Sequence, residues 1–417
     1  MSRRAAVLPF RGLRYNTEKA GELSALICPP YDVMSGEERA WLQQQHEFNM
    51  VHLENPLPQP SETPEARFNR IAKTLKEWQK ARVIQTDSGP ALYVYRHRFA
   101  TPAGAAERWS FFCLLRLSEY SSGEVIPHEN TMARPKSERL MMLRACGAHV
   151  SPIMCLHRSQ ADMRGMLSGM CTGEPIAEAQ VGQQEHALWA VTDSEDILTI
   201  VSNVEAPVFI ADGHHRYEAA LAYSADAAKA ADKRDAANYV LVALIHARDP
   251  GLTILPAHRV LKFGPGQRVR LERLVAEHCT VQVCDSLPAL ERAVRETVGV
   301  GWFDRLYGYR LLLFKTPPPS TNLEALHSLL LDPAMPDNEP GQVAYVVGAQ
   351  SAAQMVERGD YDVVMFLSAL PIEKVLETAE TGKRLPKKAT YFHPKLPAGL
   401  VMASAAPGAR VEPVPES

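Results

Sequence analysis

The chain has 417 residues, 46% of them hydrophobic and 22% charged, with a formal net charge of −3. That length accommodates two or three domains and a large core. The slight negative charge speaks against broad, non-specific nucleic-acid binding. Seven scattered cysteines form no Cys-x-x-Cys pair and read as reduced, mostly buried thiols in a reducing compartment. No apolar run approaches a signal peptide or a membrane span, so a cytoplasmic protein without a membrane partner is expected.

Ala5 to Arg14 predicts a first strand. In the following Leu26–Met34 stretch, Pro29 and Pro30 stiffen the backbone and give Tyr31 and Asp32 a defined direction, although a stiff linker has the same composition. Ser35 and Glu38 form a capping box for a helix to about His46. Thr63-Pro64 opens an amphipathic helix with Phe68, Ile71, Ala72, Leu75 and Trp78 on one face. Ala91–Phe99 and Arg108–Leu117 predict a hairpin around Pro102 and Gly104.

The polar run His128-Glu129-Asn130-Thr131 precedes a helix that Gly147 stops. It lacks the second histidine of a zincin helix. Glu129 and Asn130 suit a hydrated magnesium ion, and polar residues capping a helix give the same pattern. Strands are expected at Ser151–Leu156 and Ala187–Val191, and helices at Ala161–Met170 and Asp193–Val201.

The densest chemistry lies at Pro207–Leu221. An apolar strand ends at Asp212, Gly213 turns, and His214, His215 and Arg216 fill the first turn of a helix reaching about Ala230. Exposed first-turn amides, the helix dipole and an arginine fork favour a phosphate, with Asp212 at its edge as a base or magnesium ligand. A plain Asp-Gly turn whose arginine pairs with a nearby acid is the competing reading. A buried strand follows at Tyr239–Ile245.

Beyond Phe263, helix–strand alternation continues without a polar knot, which suggests a second domain with a packing or lid role. Lys383–Lys395 then interleaves basic residues with Tyr391, Phe392 and His393, as either a solvated loop or a phosphate-clamping lid. The Ala/Pro/Glu-rich tail predicts disorder.

Six motifs occur in order: Pro29-Pro30-Tyr31-Asp32-Val33, His128-Glu129-Asn130-Thr131, Asp212-Gly213-His214-His215-Arg216-Tyr217, Asp249-Pro250-Gly251-Leu252, Pro256-Ala257-His258-Arg259 and Lys388-Ala389-Thr390-Tyr391-Phe392-His393-Pro394-Lys395. Together they resemble a widespread prokaryotic family catalogued as a domain of unknown function, some members of which are labelled ParB-like. Ala389 stands where many members have serine. The central box also resembles the Gly-x-x-Arg phosphate box of the ParB/sulfiredoxin superfamily. His214 occupies the position of the sulfiredoxin cysteine, and Asp212 to Arg216 match the Asp-Gly-His-x-Arg box of free serine kinases.

The resemblance implies an α/β fold with a mixed sheet, in which a ParB/sulfiredoxin-like core carries a large insertion and a second α/β domain. The expected boundaries are 1–262 with an insertion over about 36–205, then 263–360, a returning segment 361–402, and a disordered 403–417. It also implies a magnesium-assisted phosphotransferase that uses ATP or ADP on a small hydroxyl compound, as in serine metabolism. Asp212, Glu129 and His215 would be catalytic, and Glu129 and Asn130 would hold Mg2+. Gly213, His214, His215, Arg216, Thr131, Lys388 and Lys395 would bind nucleotide phosphates, with Tyr31, Asp32 and His128 on the acceptor. A ParB-like nucleotide-dependent regulator and a phosphometabolite hydrolase are the alternatives. Nucleic acid is disfavoured as a partner, and a homodimer stays open.

Overall fold

The structure is a computed structural model, and it describes residues 5–131, 133–227, 232, 234–316, 321–336 and 342–414. The chain divides into two compact units. Unit 1 gathers the described residues within Met1–Pro127, Thr131–Thr253 and Pro394–Ser417; unit 2 holds His128–Asn130 and Ile254–His393.

Unit 1 is built on a nine-stranded mixed sheet. Its strands are β1 (Val7–Leu8), β2 (Leu92–Thr101), β3 (Gly104–Arg116), β4 (Val125–Pro127), β5 (Ile153–Arg158), β6 (Ala177–Val181), β7 (Gln184–Val191), β8 (Glu205–Asp212) and β9 (Tyr239–His246). The spatial order is β4-β8-β5-β9-β3-β2-β7-β6, with β1 on β3. The β4/β8 and β5/β9 pairs are parallel and the rest antiparallel. The expected mixed α/β class is thus the observed one. Alternation drives one face inward: Phe111, Cys113 and Leu115 of β3 and Val240, Val242 and Leu244 of β9 share a core with Val208 and Ile210 of β8.

The helices of unit 1 include α1 (Gly36–Gln45), α2 (Pro64–Lys80), α3 (Ala133–Cys146), α4 (Met163–Met170), α5 (Ser194–Ser202) and α6 (His214–Ala227). Helix α2 follows its periodicity closely. Thr63 caps it, Pro64 starts it, and Phe68, Ile71, Ala72, Leu75 and Trp78 are its buried residues. Each large one contributes roughly 1.5–3 kcal/mol through burial. The Ser35 cap on the Glu38 amide and the β2/β3 hairpin also form as expected. The end expected for α6 near Ala230 lies outside the described residues, as does Met132.

The tail is a correction. Ala403–Ser404 pairs with Ala148–His149, Ala405 is fully buried and Val411 is buried. Small side chains, which read as disorder, let this backbone lie close to the turn at Gly147: a Cβ there would sit 3.5 Å from Ala406. Residues 415–417 lie outside the described residues.

Unit 2 carries a six-stranded, wholly antiparallel sheet of β10 (Ala257–Leu261), β11 (Cys279–Val283), β12 (Gly299–Asp304), β13 (Gly308–Phe314), β14 (Val343–Val347) and β15 (Val363–Phe366). The order is β11-β13-β12-β15-β10-β14. Both faces are covered. Leu261, Val300, Leu312 and Met365 pack on α7 (Gln267–His278), while Val260, Phe303, Leu311 and Val364 meet α8 (Leu287–Glu296) and α9 (Ala349–Glu357). Among the described residues no helix is long and apolar enough to cross a membrane. All seven cysteines are free, and Cys28, Cys113, Cys155 and Cys279 are buried.

Candidate functional site

In unit 1, strand β8 delivers Asp212 to the sheet edge and α6 begins at His214, with Gly213 between them at φ +99°. That conformation disfavours a side chain, and a Cβ there would also lie 3.0 Å from the Arg216 Nε. The chain therefore turns sharply enough for Arg216, one helical turn on, to fold back onto the strand end. Its Nη2 donates to Asp212 Oδ2 at 2.8 Å and its Nη1 to the Pro152 carbonyl. The guanidinium expected to meet a phosphate thus has internal partners. His214 is buried and His215 half-buried on the same turn.

Two distant segments complete the cluster. Lys395 Nζ donates to the Asp212 carboxylate and, at 2.7 Å, to Asp32 Oδ2. Its side chain is only 7% exposed, so this pair is largely removed from water. Burial pulls the lysine pKa down, but Asp212 and Asp32 more than offset it and hold the ammonium well above its ordinary value. The preceding carbonyl, Pro394 O, accepts from Arg108 Nη2 at 2.9 Å. Beside Asp32, the Tyr31 ring lies under the Arg139 guanidinium, 3.9 Å from centroid to Cζ. The Tyr31 amide donates to Oε1 of the fully buried Glu54 at 3.3 Å, and Arg139 stands 3.7 Å from that carboxylate. Burial raises the Tyr31 pKa, with Arg139 and Arg216 opposing it.

Three carboxylates (Asp32, Glu54, Asp212) thus balance three cations (Arg139, Arg216, Lys395) around one tyrosine. Such an array holds together only as a set, because removing one member leaves a buried charge uncompensated. Thr131 joins α6 from outside the cluster, donating to Glu218 Oε2 at 2.8 Å. Glu54 and Arg139 were not legible as site residues in the sequence. Arg139 gave a signal, an arginine on the helix that follows the polar run, but Glu54 gave none.

Unit 2 gathers the other candidates. His128 is buried, with Nε2 2.8 Å from Thr390 Oγ1 and its ring edge-on to Phe392. The residue expected to contact an acceptor therefore anchors the returning basic segment. Glu129 Oε1 accepts the Lys388 amide at 3.0 Å, while Asn130 is exposed. Lys388 itself lies at φ +53°, rare for a residue with a side chain. Ala389 is buried in the sheet core. Glu129 and Asn130 offer hard oxygens, which fit a magnesium ion that keeps most of its waters. Among the described residues no group of three or more His, Cys, Asp or Glu is placed to hold a metal.

The two remaining motifs resolve as architecture. Asp249 Oδ1 accepts the Gly251 amide at 2.8 Å, and a Cβ on Gly251 would come within 2.2 Å of the Glu107 carbonyl. His258 Nδ1 accepts the Leu367 amide at 3.2 Å; burial pushes the imidazole down to about 4.

Fold and cluster together define a mixed α/β protein whose strand–turn–helix junction carries a charge-balanced acid–base array. Residues 7–357 match the family model described as "Protein of unknown function (DUF1015)", and the chain belongs to that family. No curated protein matches the chain. Among solved structures it is similar to a conserved hypothetical protein from Pyrococcus furiosus, at 16% identity over 70% of this chain and 94% of that one, with a TM-score of 0.37. It is similar also to free serine kinase in complex with AMP (15%, 70% and 92%, TM-score 0.37). A third likeness is to C-terminally truncated SbnI from Staphylococcus aureus (12%, 70% and 88%, TM-score 0.40).

Proposed function

We propose that this chain is a nucleotide-dependent phosphotransferase acting on a small hydroxyl-bearing metabolite. The observation that carries the reading is the meeting of Asp212, Lys395 and Asp32 at the head of α6. Three sequence-distant segments there supply a carboxylate, an ammonium and a helix N-terminus at one point. Phosphoryl transfer needs little covalent chemistry from a protein; it needs positioning and charge neutralisation. Asp212 takes the proton of the acceptor hydroxyl as its oxygen bonds to the terminal phosphorus of ATP or ADP. The bond from that phosphorus to the nucleotide's bridging oxygen breaks, and the shortened nucleotide leaves. Lys395 passes between its carboxylates and the transferring group, and first-turn amides with His214 and His215 favour phosphate oxygens. Tyr31 and Asp32 orient the acceptor. In unit 2, Glu129 and Asn130 would hold a magnesium ion, whose chemistry is the neutralisation of phosphate charge.

The test is thermal denaturation with ATP, ADP, CTP and GTP, each with and without magnesium. A ligand that binds only the folded chain raises the melting temperature with the logarithm of its concentration over its dissociation constant. Asp212→Asn should retain the nucleotide-induced shift and lose transfer to hydroxyl acceptors. Full transfer activity in that variant would remove Asp212 from the mechanism, and no shift with any nucleotide would reject the reading.

A further inference from the structure

The motif ending in Arg259 plays no part in the chemistry above, yet it holds one of the most costly arrangements in unit 2. Arg259 is 1% exposed in the middle of β10. Its hydrogen-bond partners among the described residues are three carbonyls and an imidazole, none of them a carboxylate. Nη1 donates to Ala257 O at 2.5 Å and Lys388 O at 3.2 Å, Nη2 to Lys387 O at 2.9 Å, and Nε to His327 Nε2 at 3.4 Å. The guanidinium also lies over the Tyr345 ring, 5.1 Å from its centroid. Burial brings its pKa down to about 10.

Glu129 favours the charge from a distance without hydrogen-bonding it. Burying a cation with no directly bonded anion is still expensive, and a hydrophobic side chain would fill this strand position at no such cost. What the arginine uniquely provides is a rigid fork that spans two consecutive carbonyls. Those carbonyls belong to Lys387 and to Lys388, whose left-handed backbone is itself unfavourable. The other side of Lys388 is held by the hydrogen bond its backbone N–H donates to Glu129 Oε1. His327 sits in the π-helical turn Leu326–Leu331, where the extra residue per turn brings its ring to the guanidinium, and its Nδ1 is 3.3 Å from Asp332 Oδ1. The backbone of Lys388 is therefore gripped from both sides, while its ammonium makes no ion pair among the described residues.

We infer that Arg259 is a positioning residue that presets Lys388, with its backbone fixed and its ammonium free of ion pairs among the described residues, for an anionic ligand of the nucleoside polyphosphate class. The inference rests on the proposed reading of Lys388 as a phosphate-binding residue. It predicts that Arg259 acts through Lys388 and not beside it.

Two measurements on the full chain test this. Arg259→Lys keeps a charge but replaces the fork with a point donor. Hydrogen exchange in the peptide spanning 386–391 should then accelerate about tenfold, the equivalent of one lost hydrogen bond, with the strands of unit 1 unchanged. Binding of Mg·ATP should weaken about tenfold in Arg259→Lys and in Lys388→Met, and no further in the double variant. Unchanged exchange overturns the inference, and so do additive losses in the double variant. Faster exchange in a protein whose wild type binds no Mg·ATP leaves the positioning role standing and rejects the nucleotide reading instead. Should Arg259→Lys fail to fold, His327→Ala releases only the Nε contact and must accelerate the same peptide by a smaller factor.

Discussion

Two arrays, one in each unit, hold their cations in opposite ways. Unit 1 sets Lys395 and Arg216 against carboxylates, whereas unit 2 sets Arg259 against backbone carbonyls. A carboxylate partner can be exchanged for a phosphate or can accept a proton, so the unit 1 array is able to take part in a reaction. A carbonyl can do neither, so the unit 2 array can only hold shape. The acceptor atom thus separates an array able to react from one that holds shape, and Arg108 of unit 1, buried on the Pro394 carbonyl, is of the second kind.

Acid is the broadest way to break this comparison. In unit 1 burial lowers His149, His157 and His186 to about 4; in unit 2 it does so for His258. Because these folded-state values lie below the ordinary histidine value, the unfolded chain binds the protons first. The stability they confer is complete above about pH 6.5 and is lost as pH falls toward 4, on the order of 3 kcal/mol for each histidine. Hydrogen exchange at pH 7 and pH 5 should show β3 and β9 loosening before β12 and β13. The reverse order would mean that unit 1 is not the acid-sensitive half. Base should do little. The raised Lys395 pKa means that its contribution persists through the ordinary lysine range and is lost only above it.

The next effect is local. Lys395→Met takes the shared ammonium from Asp32 and Asp212, leaving Arg216 on Asp212, and should cost about 3–5 kcal/mol in urea unfolding. Adding Asp32→Asn to that variant should recover part of the loss; no recovery would show that the two residues are not coupled. The smallest effect sharpens the contrast from the other side. Lys388→Gly relieves a left-handed backbone and should gain no more than about 1 kcal/mol, the helical preference against that conformation being of this size. A loss of stability would show that the lysine stem packs usefully.

Patterned elements were legible from the sequence because their information is local. Helix α2 carries its cap, its proline and its apolar stripe within residues 63–78, and the β2/β3 hairpin is read from alternation and a turn. Asp212 and Gly213 were equally plain, since a strand end and a positive φ leave marks in neighbouring residues. Arg216 and His128 were visible as polar residues in motifs, and the competing reading of Arg216 paired with a nearby acid is met by its bond to Asp212, but their other partners were not legible. Their partners, Pro152 O and Thr390, are set by tertiary packing. Glu54 was invisible for the same reason, lying on the single turn Val51–Glu54 in an otherwise ordinary stretch. The edge strand β6, Ala-Glu-Ala-Gln-Val, is too polar and too short to announce itself.

The way the end of the chain is used has a consequence for how unit 1 is made. Met402 bridges to Leu13, Ala398 to Cys28, and Ala403–Ser404 to Ala148–His149, while Lys395 supplies the cation between Asp32 and Asp212. Residues 5–253 alone therefore lack the ammonium between these carboxylates and several of their own strand partners. Unit 2, apart from the three residues 128–130, lies within one continuous stretch, 254–393, and can fold as soon as that stretch is out. Unit 1 is thus completed only by residues that follow the whole of the 254–393 stretch. Cutting the chain before residue 395 removes at once the ammonium shared by Asp32 and Asp212 and the strand partners of Leu13, Cys28 and Ala148–His149.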